Sequence, residues 1–154
     1  MADNLPSAAK MKQNGAIVIK VNDMDIRECC TDSAFNNNEN IQTVTFLIDG
    51  GYGSSWVAGM QPKLNMTGKY VKDNAFCAYL ASIEYGIGED RIAECSIEKF
   101  GTTVTCGCTL ENVAIGGGTA LEGAPLSFVI AFNGKPTVTT TPTGGSGGSD
   151  PSDP

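Results

Sequence analysis

Chemistry in this chain of 154 residues would have to come from six cysteines, a few neighbouring carboxylates or glycine-rich loops, because the sequence contains no histidine. That absence removes the commonest general base near neutral pH and the commonest nitrogen ligand for zinc. The thiols fall at Cys29-Cys30, Cys77, Cys95 and Cys106-Gly107-Cys108. Structural zinc sites use cysteine pairs about two to four residues apart, often with histidine, and neither pair has that form. On a strand, Cys106 and Cys108 point the same way as Val104 and Leu110, so small apolar core residues account for them. Glu89-Asp90 flanks a turn, while Glu94 and Glu98 share the exposed row of a strand. A general acid would need one of them against an apolar wall, and a solvated carboxylate is the simpler reading. Neither Gly50–Ser55 nor Gly116–Thr119 carries the Lys-Ser/Thr of a phosphate-binding loop. No nucleophile, base and orienting group converge, so the expectation is a protein that is not an enzyme and uses no cofactor or metal.

Composition narrows the class. Seventeen acidic against ten basic side chains give a formal charge of -7, which disfavours tight nucleic-acid binding by release of counterions. Met1–Gly15 is polar, carries Lys10 and Lys12, and lacks the apolar core of a signal peptide; no stretch is apolar enough to span a bilayer. The expectation is a protein that folds where it is made, without a membrane partner. Nineteen glycines with abundant Thr, Val and Ile predict a single, mostly β domain with one helix.

The elements that would position these residues follow from periodicity. Ile17, Ile19 and Val21 alternate, Asn22-Asp23 supplies turn chemistry, and Met24 and Ile26 resume the alternation, which predicts a hairpin over Ala16–Cys29. A two-residue loop sets Val21 against Met24, Ile19 against Ile26 and Lys20 against Asp25. Thr31–Asn40 has loop composition. Gln42–Asp49 reads as a strand with Val44, Phe46 and Ile48 on one face, Gly50–Ser55 as a flexible break, and Trp56–Tyr70 as a strand region carrying Leu64 and Met66, with Pro62 marking an edge or bend. Trp56 is open to two readings, an interface anchor or a core residue capping one end. Phe76, Tyr79, Leu80 and Ile83 predict a helix over Asp73–Ile83 with Asp73 as its N-cap, stopped by Gly86 and Gly88.

A second hairpin, Arg91–Lys99 with Thr102–Asn112, turns at Phe100-Gly101. Its register opposes Cys95 to Cys106 and Ala93 to Cys108. Opposed β-carbons lie about 4.5 to 5.5 Å apart, so a Cys95–Cys106 disulfide would need adjustment toward about 3.8 Å and would be absent in a reducing cytoplasm. Gly116-Gly117-Gly118 is a hinge, Leu126–Phe132 is a last strand, Asn133-Gly134 is a turn, and the core ends near Thr137. From Thr139 the sequence lacks large apolar residues and is expected to form an unstructured tail.

Taken in series, the hairpin Ala16–Cys29, the strand entering a glycine-rich loop before Trp56, KLNMTGKYV, the helix DNAFCAYLASI, the hairpin CSIEKFGTTVTCGCTLENV, the GGG run and the closing APLSFVIAFNGKPTV resemble the major tail tube proteins of long-tailed, siphovirus-type phages of Gram-positive bacteria. The resemblance covers Gly15 to Val138. It implies a β-sandwich or barrel with one flanking helix, divided into an N-terminal arm (1–15), a tube domain (16–138) and a tail (139–154). Six copies would close into a ring, and rings would stack into a conduit through which DNA passes into the host without specific binding. The partners implied are further copies, the tape measure protein, the tail terminator and the distal tail protein. The implied location is the virion tail, assembled in the host bacterial cytoplasm.

The family's inter-ring stacking hairpin matches Leu47–Gly59, which assigns stacking to Leu47, Ile48, Asp49, Gly50, Gly51, Tyr52, Gly53, Ser54, Ser55 and Trp56. Here that loop reads as short and glycine-rich, so Met1–Gly15 and Thr31–Asn40 remain alternatives for the same role. Contractile tails and bacteriocins use a tube of the same fold. The competing function is a small β binding module, either a virion decoration protein or a surface adhesin domain.

Overall fold

The structure, a computed structural model, describes residues 16–140. The expected N-terminal arm (1–15) and the tail from 141 lie outside the described residues. Among the described residues ten strands and one α-helix follow in the order β1 (Val18–Val21), β2 (Met24–Asp25), β3 (Cys30–Asn36), β4 (Asn40–Thr45), β5 (Gly53–Gly59), β6 (Lys63–Lys69), α1 (Ala75–Ile83), β7 (Ile92–Lys99), β8 (Thr102–Ile115), β9 (Pro125–Phe132) and β10 (Thr137–Thr140). The fold is mostly β with one flanking helix, as the sequence predicts.

Eight strands form one antiparallel sheet in the order β2-β1-β7-β8-β9-β6-β3, with β10 paired to β8 beside β9. The two predicted hairpins have the predicted register: Val21 opposes Met24, and Cys95 opposes Cys106. Both turn through two residues at positive φ, Asn22 and Asp23 in the first, Phe100 and Gly101 in the second. Such turns match the right-handed twist of the strands they join. Ile26 N–H reaches the Ile19 carbonyl at 3.1 Å, extending the first pairing as predicted. Asp25, however, bonds Arg27 at 2.8 Å rather than Lys20.

Alternation then makes one face of the sheet apolar. Val21, Cys95 and Cys106 align across β1, β7 and β8; Leu64, Ile130 and Leu110 align across β6, β9 and β8. The other face carries rows such as Lys20, Ser96, Thr105 and Thr137. A sheet with one polar face must cover its other face, and two devices do so here. The helix α1 sets Phe76, Cys77, Leu80 and Ile83 on the apolar side, with the Phe76 ring edge-on to Phe128 at 5.3 Å. The sheet also curls: Lys99 Nζ, at the far end of β7, lies 5.4 Å from the centre of the Phe35 ring on edge strand β3.

Four readings from sequence are corrected. Thr31–Asn40, expected as a loop, contains most of β3; its residues beyond Cys30 are exposed because β3 is an edge, so no apolar alternation marks it. The helix begins one residue later than expected, since Asn74, not Asp73, is the cap: its Oδ1 accepts the Cys77 N–H at 3.0 Å, and Asp73 adopts φ 64°. Thr139 and Thr140, assigned to the tail, belong to β10. Finally, Val44, Phe46 and Ile48 do not form one face of a core strand. β4 ends at Thr45, Leu47–Asp49 is a 3-10 turn, and the apolar side chains here are exposed.

The junction after the helix is held by Arg91. Its guanidinium donates to the Gly86 carbonyl at 3.1 Å, to the Leu110 carbonyl at 3.0 Å and to the Glu84 carbonyl, so one side chain ties the orphan carbonyls after α1 to strand β8.

Candidate assembly surface

The residues expected to stack lie together on an arm. β4 and β5 form their own two-stranded sheet, separate from the main one, with Gln42 opposite Trp56, Val44 opposite Ser54 and Thr45 opposite Gly53. The arm runs from Asn40 to Gly59 and is therefore longer than the short loop read from sequence. Leu47, Ile48 and Asp49 make the 3-10 turn at its tip; Gly50 and Gly51, at φ 63° and 96°, reverse the chain; Gly53, Ser54, Ser55 and Trp56 open β5. Gly50 closes the turn through its N–H to the Leu47 carbonyl, at 3.2 Å.

Its root is pinned. Gln61 N–H donates to the Asn37 carbonyl at 3.1 Å, and Asn38 Nδ2 donates back to the Gln61 carbonyl at 3.1 Å. Asn38 reaches that position through φ 48° and an Asx turn, its N–H on Asn36 Oδ1 at 2.9 Å. Gln61 Nε2 further contacts the Phe132 carbonyl at the end of β9.

Almost nothing of the arm is buried. Leu47 is 102% exposed, Ile48 92%, Tyr52 80% and Trp56 64%; Ile41, Phe46, Val57 and Met60 are exposed as well. Trp56 thus does not cap the core. A lone two-stranded ribbon with both faces in water is marginal at best, and an apolar group of this size marks an interaction surface. Ile41, Phe46, Val57 and Met60 were missed from sequence because strand alternation treats every apolar residue as core.

At the arm's root lies a pocket of about 780 Å³ walled by Met60, Pro62, Phe132, Pro136 and Val138. A second opening, about 480 Å³, is lined by Ile17 and Ile19 at the start of the first hairpin, by the segment Asp25–Glu28, by Cys30–Ser33 of β3 and by Met66.

The thiols sit elsewhere, in the core. Cys95 and Cys106 are opposed in register, and all six cysteines are free. Among the described residues no group of three or more Cys, Asp or Glu side chains is placed to hold a metal ion. Glu94 and Glu98 are exposed. Cys29 is driven above the usual thiol range by its bond to Cys30 and by burial, and burial raises Cys77 and Cys106; the bond between Cys95 and Cys108 drives Cys95 up and Cys108 down, so that pair partly offsets itself. Cys29, Cys77 and Cys106 keep their protons in the folded chain at pH values where the unfolded chain, with thiols near 9.0, releases them. Stability from this source is complete below about pH 9 and falls above it. The thermal midpoint should therefore hold steady up to about pH 8.5 and decline by pH 10.5, and a flat profile would contradict the buried, protonated thiols.

No family model matches the chain, and no curated protein matches it. Solved structures do share its fold. A chain from the virion of a native gene transfer agent particle superposes with TM-score 0.65 at 14% identity, covering 84% of this chain and 100% of that one. A chain from the tail of the empty particle, determined with C6 symmetry, gives the same values. A chain from the sheath–tube complex of an extracellular contractile injection system in its extended state gives 0.57 at 7% identity, covering 87% and 95%. Among the described residues no helix is long and apolar enough to cross a membrane.

Proposed function

We propose that this chain is the repeating subunit of a phage-type tail tube, a structural protein rather than an enzyme. Six copies close into a ring, rings stack, and the bore conducts DNA into the host. The observation that carries the reading is the β4–β5 arm, whose apolar surface has no partner within the described residues and would be covered by assembly with further copies. The fold shared with chains from a C6-symmetric tail supports the ring. The sequence resemblance favours the long-tailed phages of Gram-positive bacteria, with the virion tail as the place of action and the tape measure, terminator and distal tail proteins as neighbours.

Ring closure has physical ground in the sheet edges. Among the described residues β3 presents a row of backbone groups without strand partners, a surface that recruits another strand unless something covers it. Pairing with a neighbouring copy covers it in a closed cyclic assembly. The test is negative-stain electron microscopy of the purified chain at rising concentration, with light scattering to follow slow polymerisation. Rings or tubes with a central channel are expected. A compact monomer at every concentration, even with a tail-initiating complex supplied, would replace this reading by the β binding module.

A further inference from the structure

We infer that Cys29 and Cys77 form a disulfide when the chain meets a small-molecule disulfide such as oxidised glutathione, with Cys30 as the thiol through which oxidation enters. This is independent of the tube reading. Cys29 and Cys77 are sealed in the core, at 3% and 0% exposure. Cys30 is half-buried and lines the opening of about 480 Å³ beside the first hairpin, so of the three thiols it is the one that a solute meets first. The other cluster, Cys95, Cys106 and Cys108, is buried throughout and offers no such entry.

The local fold brings the three sulfurs together. Neighbouring residues of a regular strand point to opposite faces. Here Cys29 and Cys30 both turn back, their N–H groups on the Ile26 carbonyl at 3.3 and 3.1 Å, and β3 bulges between Cys30 and Asp32. Alternation is broken there, and the Cys29 thiol is in hydrogen-bond contact with those of both Cys30 and Cys77. The start of α1 is clamped over this turn. Asn74 accepts the Cys77 N–H at 3.0 Å and donates from Nδ2 to Glu28, the residue before Cys29, at 3.1 Å. The chain that follows β6 fixes both cysteines as well: Lys69 N–H donates to the Cys29 carbonyl at 2.8 Å, and Val71 N–H to Cys77 Sγ at 3.4 Å.

The chemistry is thiol–disulfide exchange. Cys30 attacks one sulfur of oxidised glutathione as a thiolate, its proton going to water, and one glutathione thiolate leaves. The Cys29 sulfur, giving up its proton, displaces the second glutathione from Cys30. The Cys77 sulfur, likewise deprotonated, then attacks Cys29 and returns Cys30 as a thiol. Two thiols lose two protons and two electrons, and one glutathione disulfide becomes two glutathione thiols. The bond ties the β2–β3 connection to α1 and restricts the unfolded chain. In a reducing cytoplasm the pair stays open.

The test incubates the full chain with oxidised glutathione at mildly alkaline pH, alkylates the remaining thiols without reduction and digests with trypsin. A disulfide should join peptide 28–63 to peptide 73–91, with the alkyl label on Cys30 assigning the bond to Cys29. Cys30→Ser should slow its appearance at least tenfold, and Cys106→Ser should leave the rate unchanged. Cys30→Ala repeats the measurement should the serine variant not fold. Three results would overturn the inference: a bond confined to Cys95, Cys106 and Cys108, a glutathione adduct that stays on Cys30, or a Cys29–Cys77 bond that forms as fast without Cys30.

Discussion

Gly68→Ala should lower the stability of the folded chain by more than about 4 kcal/mol, the range reserved for substitutions with a specific steric cause. Gly68 lies on β6 where edge strand β3 bulges between Cys30 and Asp32. A β-carbon there would stand 1.9 Å from the Cys29 carbonyl oxygen and 2.7 Å from Cys30 Cα. Both are backbone atoms, so no side-chain rotation relieves the overlap. The Cys29 carbonyl is also committed, accepting the Lys69 N–H at 2.8 Å. Relief requires β3 to leave β6, breaking the pairing that runs from Cys30 opposite Gly68 to Asn36 opposite Lys63. Gly107→Ala is the control: its β-carbon would meet nothing closer than Glu94 Oε1 at 4.0 Å. Thermal unfolding followed by circular dichroism should show a midpoint lowered by roughly 16 °C or more for Gly68→Ala, taking about 4 °C per kcal/mol at this size, and little change for Gly107→Ala. Equal midpoints would mean that β3 is not held against β6 in this way.

Leu47→Asp/Ile48→Asp should abolish assembly without touching the fold. Both side chains are almost wholly in water in the single chain, so replacing them costs the fold little. In a contact, each would bury a large aliphatic group worth about 1.5 to 3 kcal/mol, and an aspartate there must be desolvated instead. Losing about 3 kcal/mol weakens each contact by a factor of roughly 100. Sedimentation velocity at matched concentration should show wild-type particles and only slow-sedimenting variant, with identical thermal midpoints. Variant particles of normal size would exclude the tip from the assembly interface.

How much of this was legible in the sequence depended on whether a segment had to be buried. The hairpins β1–β2 and β7–β8 announce themselves because Ile19, Val21, Cys95 and Ile97 must all point inward, which fixes their register. β9 is legible for the same reason. β3 and β10 are edge strands made of polar and threonine-rich stretches, and edges face no packing demand that would leave a period of two. The cap at Asn74 rather than Asp73 turned on a single left-handed residue, which two adjacent cap-forming side chains cannot distinguish. The resemblance picked out Leu47–Trp56 as candidate stacking residues, and in the structure they share one exposed arm. The length of that arm was not legible, because Val44, Phe46 and Ile48 imitate a core strand until their exposure is seen.

The arm has one further consequence. Each chain carries a single tip and a single root, unlike one another and placed at opposite ends of β5. Copies stacked through such an arm would form a polar assembly, with the tips bare at one terminus and covered at the other. Growth at the two termini would proceed by different encounters, and a protein shaped to seal one terminus would have nothing to grip at the other.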